Sequence, residues 1–209
     1  MSVIDPERLK GSEVRLWRLI EERCQPGADV KRIDQRIWDL FGEDWAIMFT
    51  DLSGFSRQVA AFGIIHFLQV IHEQGGILLP LVAQHDGILI KTEADSYLVI
   101  FKRASAALTC AIDMQRACQS FNLRRKPEEK VLLCVGLGFG RILRIGDVDV
   151  YGKEVNAASK LGEDTAKANE ILVTEAVKDA AGEVEDVEYV PLTEPVPGSD
   201  KNYRVVYRA

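Results

Sequence analysis

Apolar residues recur three or four apart over the first forty positions, then give way to shorter and denser runs. Val14 with Trp17, and Leu16 with Ile20, trace one helical stripe, while Ile33, Ile37, Trp38 and Phe41 trace a second. Gln25-Pro26-Gly27 separates the two, because proline and glycine together break a helix. Residues 1–43 are thus predicted as an N-terminal helical segment and 44–209 as the main domain. The helical segment could pack on that domain, join a dimer or receive a regulatory partner.

In the main domain a strand is expected over Trp45 to Thr50 and a helix from about Ser56 to Ile71. Gly75-Gly76 is expected to interrupt that helix before a further piece to Gln84. Two extended runs follow, Ile88 to Thr92 and Ser96 to Phe101, joined by Glu93-Ala94-Asp95. An alanine-rich helix is predicted over Ala104 to Phe121, ended by the exposed basic turn Arg124-Arg125-Lys126-Pro127. A strand over Val131 to Phe139, an extended piece Val148 to Tyr151 and a helix from Lys153 to about Lys167 come next. Smaller strands are placed at Ile171 to Val173, Val187 to Val190 and Tyr203 to Tyr207. The order strand, helix, strand, strand, helix, strand is an α+β pattern: a ferredoxin-like βαββαβ antiparallel sheet with helices on one face. That topology lays the first strand beside the following hairpin, so Asp51 and Asp95 converge.

Charge narrows the partners. A net charge of -6 and a pI near 5.2 argue against a nucleic-acid binder, which needs a basic footprint. No apolar run reaches the length of a membrane span, and Met1 to Pro6 lacks a signal-peptide layout, so a cytoplasmic protein is expected. Cys24, Cys110, Cys118 and Cys134 are too dispersed for a zinc site; the last three fall in apolar patterns and read as buried thiols. His66, His72 and His85 read as structural or surface residues.

The chemistry concentrates in three clusters. In the first, Asp51 ends an apolar strand and Leu52-Ser53-Gly54-Phe55 turns into a helix. Fixed carboxylates with neighbouring backbone carbonyls, here Leu52, can hold hard cations. Gly54 and Phe55 lie where helix N–H groups could cradle a phosphate. Asp51 also reads as an ordinary helix cap. In the second, Asp95 closes a tight hairpin and Lys91 lies four residues earlier. The lysine either reads a base edge or snorkels to water. The third runs Asp149-Val150-Tyr151-Gly152-Lys153-Glu154-Val155-Asn156-Ala157-Ala158-Ser159-Lys160. Asn156 and Lys160 are i and i+4 on one helix face, an amide beside a cation that suits a triphosphate under attack or simply a solvated surface. Gly136-Leu137-Gly138-Phe139-Gly140 extends a strand and opens no helix, so it reads as glycine-permitted backbone approach.

Together these clusters resemble the class III nucleotidyl cyclase catalytic domain, the adenylate and guanylate cyclase homology domain, from about Trp45 to the C-terminus. Phe49-Thr50-Asp51-Leu52-Ser53-Gly54-Phe55 is similar to its metal motif, Lys91 to Asp95 to its KxxGD hairpin, and Val150 to Ala158 to its VNxAxR-bearing segment. The resemblance implies a homodimer with shared sites that converts ATP to cyclic AMP and pyrophosphate. Asp51 and Asp95 would bind two Mg²⁺ or Mn²⁺ ions, Lys91 and Asp149 would select the purine, Asn156 would orient the ribose, and Lys160 would stabilise the pentavalent phosphorus. Other readings are a non-catalytic nucleotide-binding domain, or a cyclase using GTP or a pyrimidine nucleotide. Four positions depart from the family pattern: Ala94 stands for glycine, and Lys160 for arginine. The 140–149 segment is short for a dimerisation arm. The C-terminal loop offers only Lys201 where a lysine-rich loop holds the triphosphate.

Overall fold

A computed structural model describes residues 11–208, with the side chains of 55–58 left aside; the Met1 to Pro6 reading lies outside these residues. Two helices, α1 (Ser12–Arg23) and α2 (Val30–Phe41), lead into strand β1 (Gly42–Leu52). Helices α3 (Phe55–Phe62) and α4 (Ile64–Gln84) precede the hairpin of β2 (Ile88–Glu93) and β3 (Ser96–Phe101). Helix α5 (Ala104–Asn122), β4 (Leu133–Ile145) and the short β5 (Asp149–Tyr151) follow. The chain ends with α6 (Lys153–Ser159), a π-helical turn (Lys160–Thr165), β6 (Ile171–Thr174), α7 (Glu175–Ala181), β7 (Val187–Pro191) and β8 (Asn202–Tyr207).

The strands form one sheet in the order β2-β3-β1-β4-β6-β8-β7, with β5 folded back on β4. Every pairing is antiparallel except β4 with β6. The four strands β2-β3-β1-β4 with α4 and α5 are the ferredoxin-like core anticipated from the sequence. Residues alternate across β1, so Ala46 and Met48 join α4, α5 and α7 in the main core, while Trp45 and Ile47 face the opposite side. There the sequence reading needs extension: α6 and the π-helical turn cover the second face, so the sheet is sandwiched rather than one-sided.

Several elements differ from their predicted bounds. Helix α4 runs straight through Gly75-Gly76, although each glycine weakens a helix by about 1 kcal/mol. Phe67, Val70, Gln74, Leu78 and Val82 are buried along one side, and that burial outweighs the local propensity. The break falls instead at Gly63, whose φ of 84° is in the left-handed region. Strand β4 continues to Ile145 because Gly42, Glu43, Asp44 and Trp45 pair with Leu143, Ile142, Arg141 and Gly140. The helix expected to reach Lys167 stops at Ser159 and unwinds into the π-helical turn. Helix α7 was not foreseen.

The N-terminal helical pair docks on the β4–β5 arm. Leu16, Leu19, Ile33, Ile37 and Phe41 are buried with Ile145, and Leu143 packs against them. Cys110, Cys118 and Cys134 are buried free thiols, with burial pushing each up to about 12, whereas Cys24 is exposed. His85 Nε2 lies 2.9 Å from Asp113 and His66 bonds the Glu128 carbonyl, while His72 is exposed. Of the basic turn, Arg124 and Lys126 are exposed while Arg125 pairs with Glu73. No helix among the described residues is long and apolar enough to cross a membrane.

The glycines of β4 are where helix meets sheet. A Cβ at Gly136 would run into the Ala158 carbonyl and the Gly162 backbone, and one at Gly138 into the Glu154 carbonyl. Gly136→Ala is therefore expected to destabilise the protein by roughly 3 kcal/mol or more, because backbone cannot yield as a side chain does. A urea midpoint equal to that of the parent protein would count against this packing.

Candidate active site

Strand β1 is central, pairing with β3 on one side and β4 on the other, and its end presents Asp51. The β2–β3 turn brings Asp95 to the same place. Ser96 Oγ donates to Asp51 Oδ1 at 3.3 Å, and the Leu52 backbone N–H lies close enough to favour the ionised form of both carboxylates. Gln74, fully buried on α4, donates from Nε2 to the Asp95 carbonyl at 2.8 Å and so anchors the turn. Sequence reading missed Gln74, since a glutamine amid an apolar helix face carries no local sign of its distant partner.

Two carboxylates so placed repel each other. Burial and then the nearby Asp95 charge push Asp51 up to about 6, and burial raises Asp95 as well. Oδ2 of Asp95 is buried without a hydrogen-bond donor. An orphaned carboxylate oxygen beside a second carboxylate is a hard, electron-rich donor set, and a divalent cation fits it. Among the described residues no group of three or more His, Cys, Asp or Glu is gathered for a metal. Any cation would thus complete its shell from backbone, water or an anionic ligand. Glu163, on the π-helical turn, adds a further negative charge near Asp51 that sequence reading did not flag.

Gly54 adopts a left-handed conformation (φ 93°, ψ 12°) and Phe55 opens α3, so this turn does lead into a helix N-terminus. Ala94, just before Asp95, has φ 52°, a region glycine occupies freely and alanine does not.

The second group lies across the β2 and β5 edges. Lys91 Nζ donates to Asp149 Oδ2 at 2.6 Å, and the Val150 N–H donates to Asp149 Oδ1 at 2.8 Å. Burial tends to raise the Asp149 carboxyl, but the bonds from Lys91 and Val150 outweigh it and hold the group below the usual range. The hydrogen bond to Asp149 raises Lys91 in turn. Both side chains keep contact with solvent, so the pair adds little stability.

Asn156 and Lys160 stand apart from both groups. The Asn156 amide donates to the Pro197 carbonyl at 3.3 Å, and Lys160 Nζ pairs with Asp164 at 2.6 Å. Lys201 pairs with Glu175 at 3.1 Å on the surface. Within one chain, then, the first-cluster carboxylates assemble, Lys91 and Asp149 assemble, and no hydrogen bond or ion pair among the described residues links Asn156 or Lys160 to either.

Two outcomes follow from the carboxylate geometry. Asp51 has a folded-state pKa above its unfolded value, so the stability it confers is present below about pH 4 and is lost as pH rises through about 6. Asp51→Asn in EDTA should gain roughly 1–2 kcal/mol at pH 7.5, allowing for solvent screening, and nothing at pH 4. Equal urea midpoints at both pH values would refute the repulsion. Ala94→Gly should stabilise the fold by roughly 0.5–1 kcal/mol through relief of the left-handed backbone, read from thermal unfolding.

Comparisons with known proteins place the chain in a family. The family described as "Adenylate and Guanylate cyclase catalytic domain" matches residues 42–201. "Putative adenylate cyclase 3" of Rhizobium meliloti is 29% identical over 146 residues, covering 69% of this chain and 24% of that protein. "Serine/threonine-protein kinase pkn2" of Myxococcus xanthus is 27% identical over 143 residues, covering 68% of this chain and 17% of that protein. The chain thus spans under a quarter of the length of either relative. In fold it is similar to an adenylate/guanylate cyclase/hydrolase from Silicibacter pomeroyi, with TM-score 0.69 and 24% identity over 80% of this chain and 98% of that one. With the family pattern running from the start of β1 to the loop before β8, the chain belongs to the adenylate and guanylate cyclase catalytic-domain family.

Proposed function

We propose that this chain is an adenylate cyclase acting as a homodimer, converting ATP to 3′,5′-cyclic AMP and pyrophosphate. The observation that carries the reading is the Asp51–Asp95 pair, with Asp95 buried, Asp51 partly so, and one oxygen lacking any donor. Two Mg²⁺ or Mn²⁺ ions, when bound there, supply charge neutralisation at the phosphates and acidify the ribose hydroxyl. The 3′-oxygen loses its proton and bonds to the α-phosphorus in line, as the bond from that phosphorus to the β-phosphate oxygen breaks.

The chain's own groups divide the remaining work. Asp51 and Asp95 hold fixed negative charge at the strand end, and Ser96 and Gln74 keep them oriented. The α3 N-terminus after Gly54 offers backbone N–H groups to a phosphate. Lys91 presents N–H donors and Asp149 a carboxylate acceptor to a base edge. Adenine carries an amino donor and a ring-nitrogen acceptor, which this pair complements. Guanine carries the same two functions in exchanged places, which keeps GTP as the second reading.

Asn156 and Lys160 bond to Pro197 and Asp164 in their own chain and do not touch the carboxylates. That separation supports a composite site in which a second copy supplies the amide and the cation. Phe62, Ile64, Ile65 and Leu68 are exposed around the α3–α4 junction, and a partner chain would cover such an apolar strip. Lys160 must leave Asp164 to reach a phosphate, and as an ammonium it offers a point charge rather than a planar fork.

Incubation with each of the four NTPs and Mn²⁺, with products identified by mass spectrometry, should yield cyclic AMP foremost. Asp51→Ala should abolish turnover. Mixing Asp51→Ala with Asn156→Ala, each inactive alone, should recover about a quarter of parental activity, because half of randomly exchanged dimers then hold one intact site of two. Absence of any cyclic product from a confirmed dimer would overturn the activity, and failed complementation would overturn the shared site.

A further inference from the structure

Strand β5 has only three residues, and their alternation divides two roles. Val150 points into the apolar cluster with Ile142 and Ala158. Asp149 and Tyr151, two apart, share the other face, opposite Ile145 and Leu143 in the β4 register. On that face the N-terminal helical pair packs, because Ile145 and Leu143 belong to its buried cluster.

Tyr151 occupies the junction. It lines a cleft of about 350 Å³ together with Leu16, Trp17 and Ile20 of α1, Ile37 and Trp38 of α2, and Leu143. Tyr151 stands beside Asp149 on that face, its hydroxyl close enough to favour the ionised carboxylate, and Glu13 of α1 acts on the hydroxyl electrostatically. Asp149 is thus bonded by Lys91 Nζ and the Val150 N–H and flanked by Tyr151, whose ring has the helical pair as its side wall. A carboxylate held by two donors and a flanking ring keeps one orientation for its remaining lone pairs, whereas a shift of the flanking group lets it turn.

We propose that Tyr151 is a positioning residue for base recognition, and that the α1–α2 pair sets nucleotide affinity and base preference through it. This rests on the reading of Lys91 and Asp149 as the groups that contact the base. The contact is a mechanical link: displacement of α1 moves the wall behind Tyr151, and the hydroxyl carries that shift to Asp149. A signal arriving at residues 12–41 would thereby alter KM rather than the chemical step.

Tyr151→Phe keeps the ring and removes only the hydroxyl. It should raise KM for ATP by roughly 3–10-fold with kcat within about twofold, and narrow the preference for ATP over GTP by a similar factor. Trp17→Ala, which removes the cleft wall without touching the base-reading pair, should move KM in the same direction. The two changes combined should be less than additive, since both act through one hydroxyl. Unchanged KM and base preference in Tyr151→Phe would overturn the proposal. So would full additivity, which would mean that α1 acts by another route. A fluorescent ATP analogue titrated in parallel gives Kd for each variant without turnover. A parent protein that binds the analogue but forms no cyclic product would refute the cyclase reading alone, and the Kd ratios would still decide the role of Tyr151.

Discussion

Two carboxylates pressed together at the end of a central strand create the electrostatic problem around which this domain is organised. Asp51 and Asp95 are each partly stripped of water, which makes both harder to ionise, and the Asp95 charge makes ionisation of Asp51 harder still. A fold gains nothing from such a pair on its own account. It tolerates them because the surrounding structure fixes their positions more firmly than repulsion can undo. The β1–β3–β4 ladder holds Asp51, while Gln74 reaches from α4 to pin the turn carrying Asp95. The positive charge that would offset both this pair and an anionic substrate is what a divalent cation would bring.

The same sheet solves a second problem on its opposite face. Glycines in β4 let α6 and the π-helical turn lie directly on the strand, closer than any side chain would allow. That close approach decides where Asn156 and Lys160 stand and brings Glu163 within electrostatic range of Asp51. The π-helical turn falls between Lys160 and Thr165, at the point where one helix must clear the sheet and descend to β6. A lysine at the start of an irregular turn is freer to reorient than one in a straight helix, and here it pairs with Asp164.

The β4–β5 arm joins these features to the N-terminal helices. Because β4 runs on to Ile145, the arm offers one face to α1 and α2 and carries Asp149 at its far strand. The helical segment is thereby placed one side chain, Tyr151, away from the Lys91–Asp149 pair.

The sequence by itself determined the order of elements, the ferredoxin-like core and the identity of the clusters. These depend on apolar period and on short motifs whose residues are neighbours in the chain. The convergence of Asp51 and Asp95 was legible too, since a split βαβ order leaves few ways to lay the strands. The tertiary structure alone decided the rest. Burial along Phe67 to Val82 carried α4 through two glycines, and pairing with Gly42 to Trp45 lengthened β4. Gln74 gained its place from a hydrogen bond to Asp95, 21 positions away, while Glu163 and Tyr151 lie within electrostatic range of charges 112 and 138 positions away, those of Asp51 and Glu13. Local preference writes itself into neighbouring residues, whereas a contact across such separations exists only once the chain has folded and its partners have been buried together.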